Sequence, residues 1–274
     1  MREKGLRLAV TLLTVIPWPG AGDDAAPGGD TAPPRAAVAA AMAWAPVVGL
    51  LLGVAASAVL LLADHPLGAG PLTASVLAIG SLALLTRGLH LDGLADLADG
   101  LASGKPAPAA LDIMRRSDIG ALGAVTLVLV LLLQVAALSQ AESAGYGRGP
   151  AALIAGVVTG RLAITWACRR GVPAARPDGL GALVAGSVRP AVAAVASAVT
   201  LAATAAAVAV WPAAAGGAPG WTLPLAVAAG QGVAAGVQRH AVRRLGGITG
   251  DVLGALTEIA MTVTLVVAAM GPPG

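Results

Sequence analysis

The chain has 274 residues, of which 57% are hydrophobic and only 11% are charged, and its formal net charge is +3. Soluble globular domains carry roughly 25% charged residues, so this composition, with a mean hydropathy of +0.83, excludes an ordinary soluble protein. Repeated apolar stretches of about 20 residues are long enough to span the hydrocarbon core of a bilayer. We therefore predict an all-α, polytopic integral membrane helix bundle that forms a single domain over residues 1–274.

The N-terminal segment precedes the first predicted span. Its apolar run, Leu8 to Ile16, follows the basic residues Arg2, Lys4 and Arg7 and stops at Pro17-Trp18-Pro19. Because no convincing small-residue cleavage site follows, we predict an interfacial or re-entrant helix and not a signal peptide. Residues 20–34 are rich in Gly, Pro, Ala and Asp, which indicates a flexible loop. Residues 1–35 are therefore predicted to form an N-terminal interfacial helix and a flexible loop within the same domain.

Apolar segments farther along the chain predict seven transmembrane helices. The sixth is the weakest prediction, because it is short and contains glycine. The seven segments cover residues 37–63, 71–89, 120–139, 150–168, 190–211, 221–237 and 252–270.

Basic residues alternate between the loops, which fixes the expected orientation. Four segments are basic: the N-terminus and the loops after the second, fourth and sixth spans. The intervening loops carry a single basic residue, Arg148. We expect the protein in the bacterial cytoplasmic (inner) membrane, with the basic loops and their polar motifs in the cytoplasm. The short C-terminus, residues 271–274, is expected on the far side.

The most informative motif follows the second span and contains three aspartates, Asp92, Asp96 and Asp99. On a helix these positions fall within an arc of ~60°. Clustered carboxylates repel one another unless a cation lies among them, and Mg²⁺ prefers oxygen ligands while leaving coordination positions for phosphate. Only 14 residues of the chain are acidic, so a solvated acidic helix face is the less favoured interpretation. We predict a Mg²⁺ site for a phosphorylated substrate.

Basic residues on the same side provide candidate phosphate ligands. Arginine binds phosphate through two parallel hydrogen bonds, although topology and contact with anionic lipid explain any one of these residues equally well. The candidates for substrate binding are Arg115, Arg116 and the adjacent Ser117, together with Arg176 and Arg243.

The Gly-Gly-Ile-Thr-Gly-Asp motif at 246–251 opens the seventh span. Glycines allow close approach of a ligand to the backbone, and a helix N-terminus attracts phosphate. Gly247, Thr249 and Gly250 are thus further candidates for substrate binding, and Asp251 is a candidate catalytic residue. An ordinary helix cap after a glycine-rich turn is the alternative. Glu258 is seven residues from Asp251, so both can face the same cavity, with Glu258 about two turns deeper.

Carboxylates, basic residues and a membrane-embedded cavity together favour phosphoryl transfer on an amphiphilic or bulky substrate. Two rival enzyme classes are a CDP-alcohol phosphotransferase and an aspartate-rich prenyltransferase. The first requires an Ala-Arg pair after Asp-Gly, and the second requires another Asp-rich motif; the chain has neither. A transporter is a third alternative, but transporter carboxylates lie near the bilayer midplane.

The motifs also resemble those of the cobalamin synthase family, the adenosylcobinamide-GDP ribazoletransferases. The similarity covers nearly the whole chain in the family's order, and its specific parts are the aspartate triad and the glycine-rich turn. It is carried by LTVIPWP at 13–19, APVVGLLLG at 45–53, LHLDGLADLADGL at 89–101, IMRRSDIGALG at 113–123, ARPDGLG at 175–181 and GGITGDVLGA at 246–255.

This resemblance implies a Mg²⁺-dependent enzyme of the last stage of vitamin B12 assembly. Its expected partners are adenosylcobinamide-GDP, α-ribazole or its 5′-phosphate, and the lipid bilayer, with no nucleic acid; an oligomer is possible. A ribazole hydroxyl would attack the phosphorus bound to cobinamide and release GMP. The catalytic residues expected are Asp92, Asp96 and Asp99 as metal ligands, with Asp251 either at a second metal or as the base.

Overall fold

The computed structural model describes residues 2–16, 33–145, 147–210 and 221–270. This part of the chain forms eleven α-helices and no strand, apart from two isolated parallel bridges. The helices are α1 (Arg2–Leu13), α2 (Arg35–Asp64), α3 (Gly70–Leu85), α4 (Leu89–Ala102), α5 (Ala107–Ile113), α6 (Ala121–Ser143), α7 (Arg148–Ala167), α8 (Gly179–Val184), α9 (Pro190–Val210), α10 (Thr222–Leu245) and α11 (Gly250–Ala269).

Each of the seven predicted spans overlaps a helix, although the span predicted at 71–89 extends past the end of its helix at Leu85, and the all-helical membrane bundle is confirmed. Within the described residues, five helices are long and apolar enough to cross a bilayer, namely α2, α6, α7, α9 and α11. The bent pair of α3 and α4 provides a sixth if the two count as one span. Helix α10 is not among them, and its sequence contains Gln231, Gln238 and Arg239. The count of seven therefore stays a prediction.

A sharp break separates α3 from α4, where the sequence predicted one span over 71–89. Helix α3 ends at Leu85, and Arg87 and Gly88 have left-handed backbone angles, with φ of 53° and 66°. Residues in this region cannot continue a right-handed helix. The axes of α3 and α4 consequently differ by 88°, and α4 packs across α6 and α11.

The bundle centre is formed by α7 and α11. In the most apolar 18-residue stretch of each helix, 72% of the residues of α7 and 78% of those of α11 are buried, whereas only 17% are buried in α9. Helix α11 contacts α4, α6, α7 and α10. The residues at its N-terminus are therefore held by several neighbours, which positions any functional side chain there.

Long-range contacts define two opposite ends of the bundle. At one end, the imidazole of His65 lies 3.7 Å from the carboxylate of Glu142, and Gln140 donates a hydrogen bond to the carbonyl of Ala269. At the other end, Arg115 pairs with Asp178. The basic loops after α4, α7 and α10 lie at this second end, as the alternation of charge requires.

Helix α1 packs against α2, with Ala9 and Val10 buried. Beyond it, the N–H of Val15 donates to the carbonyl of Leu85 at 2.8 Å, so the N-terminal segment reaches the break between α3 and α4. The helix predicted at 8–16 is present, with earlier bounds; its depth in the membrane stays a prediction. Pro17–Pro19, most of the predicted loop at 20–34 and the C-terminal residues 271–274 lie outside the described residues.

Candidate active site

A cavity of about 250 Å³ lies at the end of the bundle that carries the basic loops. Its walls come from α1, α2, α4, α7, α8, α11 and the loops next to α8 and α11. The predicted site residues that line it are Asp92, Arg176, Thr249, Gly250 and Asp251. Residues from three distant parts of the sequence therefore share one cavity, as expected from the sequence.

The first turn of α11 fixes the position of Asp251. Thr249 is the N-cap, and its hydroxyl oxygen accepts a hydrogen bond from the N–H of Val252 at 3.2 Å, an arrangement that satisfies a free amide at the helix start. The same hydroxyl donates to Oδ2 of Asp251 at 3.1 Å. One oxygen of Asp251 is thereby oriented, and Oδ1 is the atom that the cap leaves for other chemistry.

Two loops that are far apart in sequence are joined beside this cap. The N–H of Ala175 donates to the carbonyl of Ile248 at 3.0 Å, and the N–H of Ile248 donates to the carbonyl of Pro173 at 2.9 Å. Gly247 packs so closely against residues 173–175 that a Cβ there would overlap their backbone. These contacts hold Arg176 beside the start of α11, where the residue lines the cavity. Its guanidinium donates a hydrogen bond to the carbonyl of Leu111 at 2.6 Å.

Glycines bring α4 and α11 into direct backbone contact. A Cβ on Gly93 would lie 2.8 Å from both Cα and O of Asp251, and a Cβ on Gly254 would lie 3.0 Å from the carbonyl oxygen of His90. Small residues allow such close crossings between membrane helices. Asp92, the neighbour of Gly93, is consequently held beside Asp251.

The charges of the site act on one another. The negative charges of Asp92, Asp251 and Asp99 all act on Asp96, and the positive charge of Arg176 acts on it with the opposite sign. Asp92 and Arg176 likewise act on Asp251. Neighbouring carboxylates of one sign favour the binding of a cation, and oxygen donors suit a hard divalent ion such as Mg²⁺. Within the described part of the chain, however, the ligand atoms that converge to within 4.8 Å belong to Asp64, His65 and Glu142, so a Mg²⁺ site at these aspartates stays a prediction.

Asp99 has an additional role that the sequence did not indicate. Its two carboxylate oxygens accept hydrogen bonds from the N–H groups of Gly120, at 2.7 Å, and Gly123, at 2.9 Å. These groups begin α6, so Asp99 caps that helix from a neighbouring one. Each carboxylate oxygen has two lone pairs, and capping leaves one on each oxygen. Its assignment as a metal ligand stays a prediction.

Other predicted substrate ligands lie outside the cavity lining. Arg116, Ser117 and Arg243 are exposed. Arg115 is also exposed and pairs at 2.7 Å with Asp178, which does line the cavity. Gly247 is accounted for by the packing of the two loops. The roles of these residues in substrate binding stay predictions. The geometry gives them less support as substrate ligands than it gives Arg176, which lines the cavity.

Glu258 does not face the cavity with Asp251, contrary to the sequence-based expectation. Its Oε2 accepts a hydrogen bond from Gln134 at 2.8 Å, and it lines a separate, much smaller space with Arg161. A spacing of seven residues brings a helix back to nearly the same face. At the position of Glu258, however, that face of α11 packs against Gln134 of α6 and Arg161 of α7. Glu258 belongs to the helix-packing interior.

Another acid-and-histidine group lies at the opposite end of the bundle. Asp64, His65 and Glu142 offer ligand atoms within 4.8 Å of one another. Because this end carries none of the cavity's residues, the group is separate from the candidate active site.

Sequence reasoning missed three residues that shape the site: His90, Gly93 and Gly254. Gly250 and Gly254 form a small-residue pair four positions apart, a pattern that could have indicated a close helix crossing. The place of His90 in the cavity lining follows from tertiary structure alone.

Comparisons with known proteins agree with one another. The model of the cobalamin-5-phosphate synthase family matches residues 5–269. An adenosylcobinamide-GDP ribazoletransferase from Frankia casuarinae is 46% identical over 97% of this chain and 95% of its own length. A protein of the same name from a Nocardioides species is 37% identical over 82% of this chain and 84% of its own length. Another, from Chlorobaculum parvum, is 35% identical over 97% of this chain and 95% of its own length. No solved structure matches significantly. The resemblance drawn from the motifs is confirmed.

Proposed function

The chain belongs to the cobalamin-5-phosphate synthase family, and we propose that it transfers the adenosylcobinamide-phosphate group of adenosylcobinamide-GDP to α-ribazole or its 5′-phosphate. The ribazole hydroxyl oxygen forms a bond to the phosphorus that carries cobinamide, the bond from that phosphorus to the GMP oxygen breaks, and the hydroxyl proton is released. This reaction is the final stage of cobalamin synthesis. Family membership favours it over the other phosphotransferases, the prenyltransferases and the transporters.

The observation that carries this proposal is the convergence of Asp92, Asp251 and Arg176 on one cavity in a chain that matches the family over nearly its full length. Phosphoryl transfer requires positioned charge more than covalent chemistry from the protein. Carboxylates from α4 and α11 and an arginine from the loop before α8, all lining one cavity, provide this charge.

We assign roles to these residues by their chemistry. The carboxylates of Asp92, Asp96 and Asp99 are the candidates to hold Mg²⁺, which when bound would neutralise charge on the pyrophosphate and the leaving GMP. Arg176, which donates one hydrogen bond to the carbonyl of Leu111, binds a phosphate oxygen with its remaining N–H groups. Asp251, with Oδ2 held by Thr249, accepts the proton of the ribazole hydroxyl at Oδ1.

Purified protein should convert adenosylcobinamide-GDP and α-ribazole into adenosylcobalamin and GMP in the presence of Mg²⁺. Chelation with EDTA should abolish GMP release, and added Mg²⁺ should restore it, because the carboxylates would otherwise face the pyrophosphate uncompensated. Both products are separable by chromatography. GMP release that is unaffected by EDTA would contradict the metal assignment, and the absence of both products under all conditions would contradict the function.

We further propose that the protein lies in the bacterial cytoplasmic membrane with the cavity facing the cytoplasm, since basic loops remain inside. Reporter fusions after Ser103, Pro177 and Arg243 should report the cytoplasm. Fusions after His65, Gly147 and Gly217 should report the far side; Gly217 lies outside the described residues. A reversed reporter at any one loop would mean that a span is miscounted, and α10 is where we expect any such failure.

A further inference from the structure

The end of the bundle opposite the active site carries a side-chain cluster that the proposed reaction does not use. It consists of Asp64 and His65, the last residue and the C-cap of α2, and Glu142 near the end of α6. One ligand atom from each lies within 4.8 Å of the other two. Exposed acidic residues are common without any ligand, so the cluster alone does not make a site. The burial of Glu142 distinguishes it.

The Glu142 carboxylate is buried without a hydrogen bond. Its side chain is 3% exposed, and Oε2 has no hydrogen-bond partner among the residues that the structure describes. This oxygen faces the start of α7, where a Cβ on Gly149 would overlap it. The other oxygen, Oε1, points to His65 and lies 3.7 Å from its Nε2, which is too far for a hydrogen bond. Burial of a carboxylate in this state is costly unless positive charge lies beside it.

The charges around Glu142 compensate it only in part. Asp64 adds a second negative charge, and the imidazole of His65 acts with the opposite sign. His65 is shared between the two acids, because its Nδ1 lies 3.8 Å from Oδ2 of Asp64. The guanidinium of Arg148, at the start of α7, donates instead to the carbonyl of Ala268. Two carboxylates and one imidazole leave an excess of negative charge, which favours a bound cation.

The type and spacing of the ligand atoms indicate which cation fits. Imidazole suits Zn²⁺ and similar transition metals, whereas Mg²⁺ and Ca²⁺ prefer oxygen ligands alone. Nitrogen and carboxylate ligands lie about 2.0–2.2 Å from Zn²⁺, so two ligands of one ion are at most about 4.4 Å apart. The 3.7 Å between Nε2 of His65 and Oε1 of Glu142 is within this reach. The His65 side chain is 45% exposed, so an ion reaches the cluster from solvent and a small ring movement closes the wider separations.

We propose that Asp64, His65 and Glu142 form a binding site for a divalent transition-metal ion, with Zn²⁺ as the ion that fits best. Helices α3 and α7 each pack against both α2 and α6, and the bound ion joins the ends of α2 and α6 directly. An ion that binds only the folded state stabilises it, so the role of this site is structural. The proposal goes beyond the proposed function and does not depend on it.

The test measures equilibrium binding of Zn²⁺ to the purified protein in detergent, without an affinity tag and after removal of metals with a chelator. Excess Mg²⁺ is present to occupy the carboxylates of the candidate active site. The wild type should bind one Zn²⁺ per chain saturably, and its thermal unfolding midpoint should rise with Zn²⁺ concentration, as binding to the folded state requires. The absence of saturable binding, or binding without a rise in the midpoint, would overturn the proposal.

Two variants locate the ion. His65→Gln and Glu142→Gln each remove one ligand with little change in size. Each should weaken Zn²⁺ binding at least about 100-fold, since loss of an outer-shell partner alone costs roughly 10–100-fold. Without metal, Glu142→Gln should be at least as stable as the wild type, because it removes a poorly compensated buried charge. His65 is partly exposed, so its variant should fold in any case.

Asp92→Asn is the matched control, because it removes a carboxylate from the active-site end of the bundle. This variant should bind Zn²⁺ with wild-type affinity and show the same rise in unfolding midpoint. Wild-type affinity for Zn²⁺ in both glutamine variants would overturn the proposal. Loss of Zn²⁺ binding in Asp92→Asn would overturn it as well, because the ion would then lie in the active-site cavity.

Discussion

Replacing Asp92 or Asp251 with asparagine should lower GMP release at least about 100-fold while the thermal unfolding midpoint in detergent stays close to that of the wild type. Asparagine preserves the size of each side chain but removes the charge that binds a hard cation or accepts a proton. The loss of several kcal/mol of transition-state stabilisation corresponds to this factor. Asp92 is exposed in the cavity wall, so folding depends little on its charge.

The same substitution at Asp96 and Asp99 distinguishes a residue needed only for turnover from one that also stabilises the fold. Asp96→Asn should behave like Asp92→Asn. Asp99→Asn should lose stability as well as turnover, by about 1 kcal/mol, because the amide offers one acceptor oxygen to the two N–H groups of Gly120 and Gly123 that the carboxylate caps.

Asp112→Asn is the matched control, since Asp112 is an exposed acidic residue on α5 and should keep wild-type activity and stability. GMP release near the wild-type rate in the Asp92, Asp96 and Asp251 variants alike would refute the proposed site.

Replacing Gly93 with alanine should reduce both stability and turnover, although the residue carries no functional group. The added Cβ would lie 2.8 Å from the backbone of Asp251, closer than carbon atoms pack, so α4 and α11 must separate. Overpacking of this kind costs roughly 1–3 kcal/mol. The separation also moves Asp251 away from Asp92, and we expect turnover to fall more than about tenfold, since small misplacements of reacting groups are costly.

Gly80→Ala provides the control for this substitution. Gly80 lies within α3, and a Cβ there meets no atom within 4 Å. Alanine is the better helix former by up to about 1 kcal/mol, so the Gly80 variant should be at least as stable as the wild type and fully active. Thermal unfolding in detergent and GMP release measure both effects. A Gly93→Ala protein with wild-type stability and activity would contradict the close crossing of α4 and α11.

The sequence predicted the class of the protein, its family and most of its helices because these depend on local properties. The length of an apolar segment determines whether it can span a bilayer, and alternating basic loops predict orientation without any knowledge of packing. The glycine-rich turn with Thr249 and Asp251 likewise predicted the start of α11, since an N-cap satisfies amides within its own turn.

Only the tertiary structure decided how these pieces form a site. The left-handed backbone at Arg87 and Gly88 bends α4 away from α3, although the apolar sequence continues through this region. Helical spacing placed the three aspartates on one face, but contacts with α6 directed Asp99 to a helix cap.

His90 became part of the cavity wall because α11 crosses α4 at glycines. Such outcomes depend on which helices become neighbours, and this depends on packing between residues as far apart as Gly93 and Asp251. Local sequence patterns identify the candidate reacting groups. The distances between these groups are determined by how the helices cross, and a single segment of sequence does not determine that.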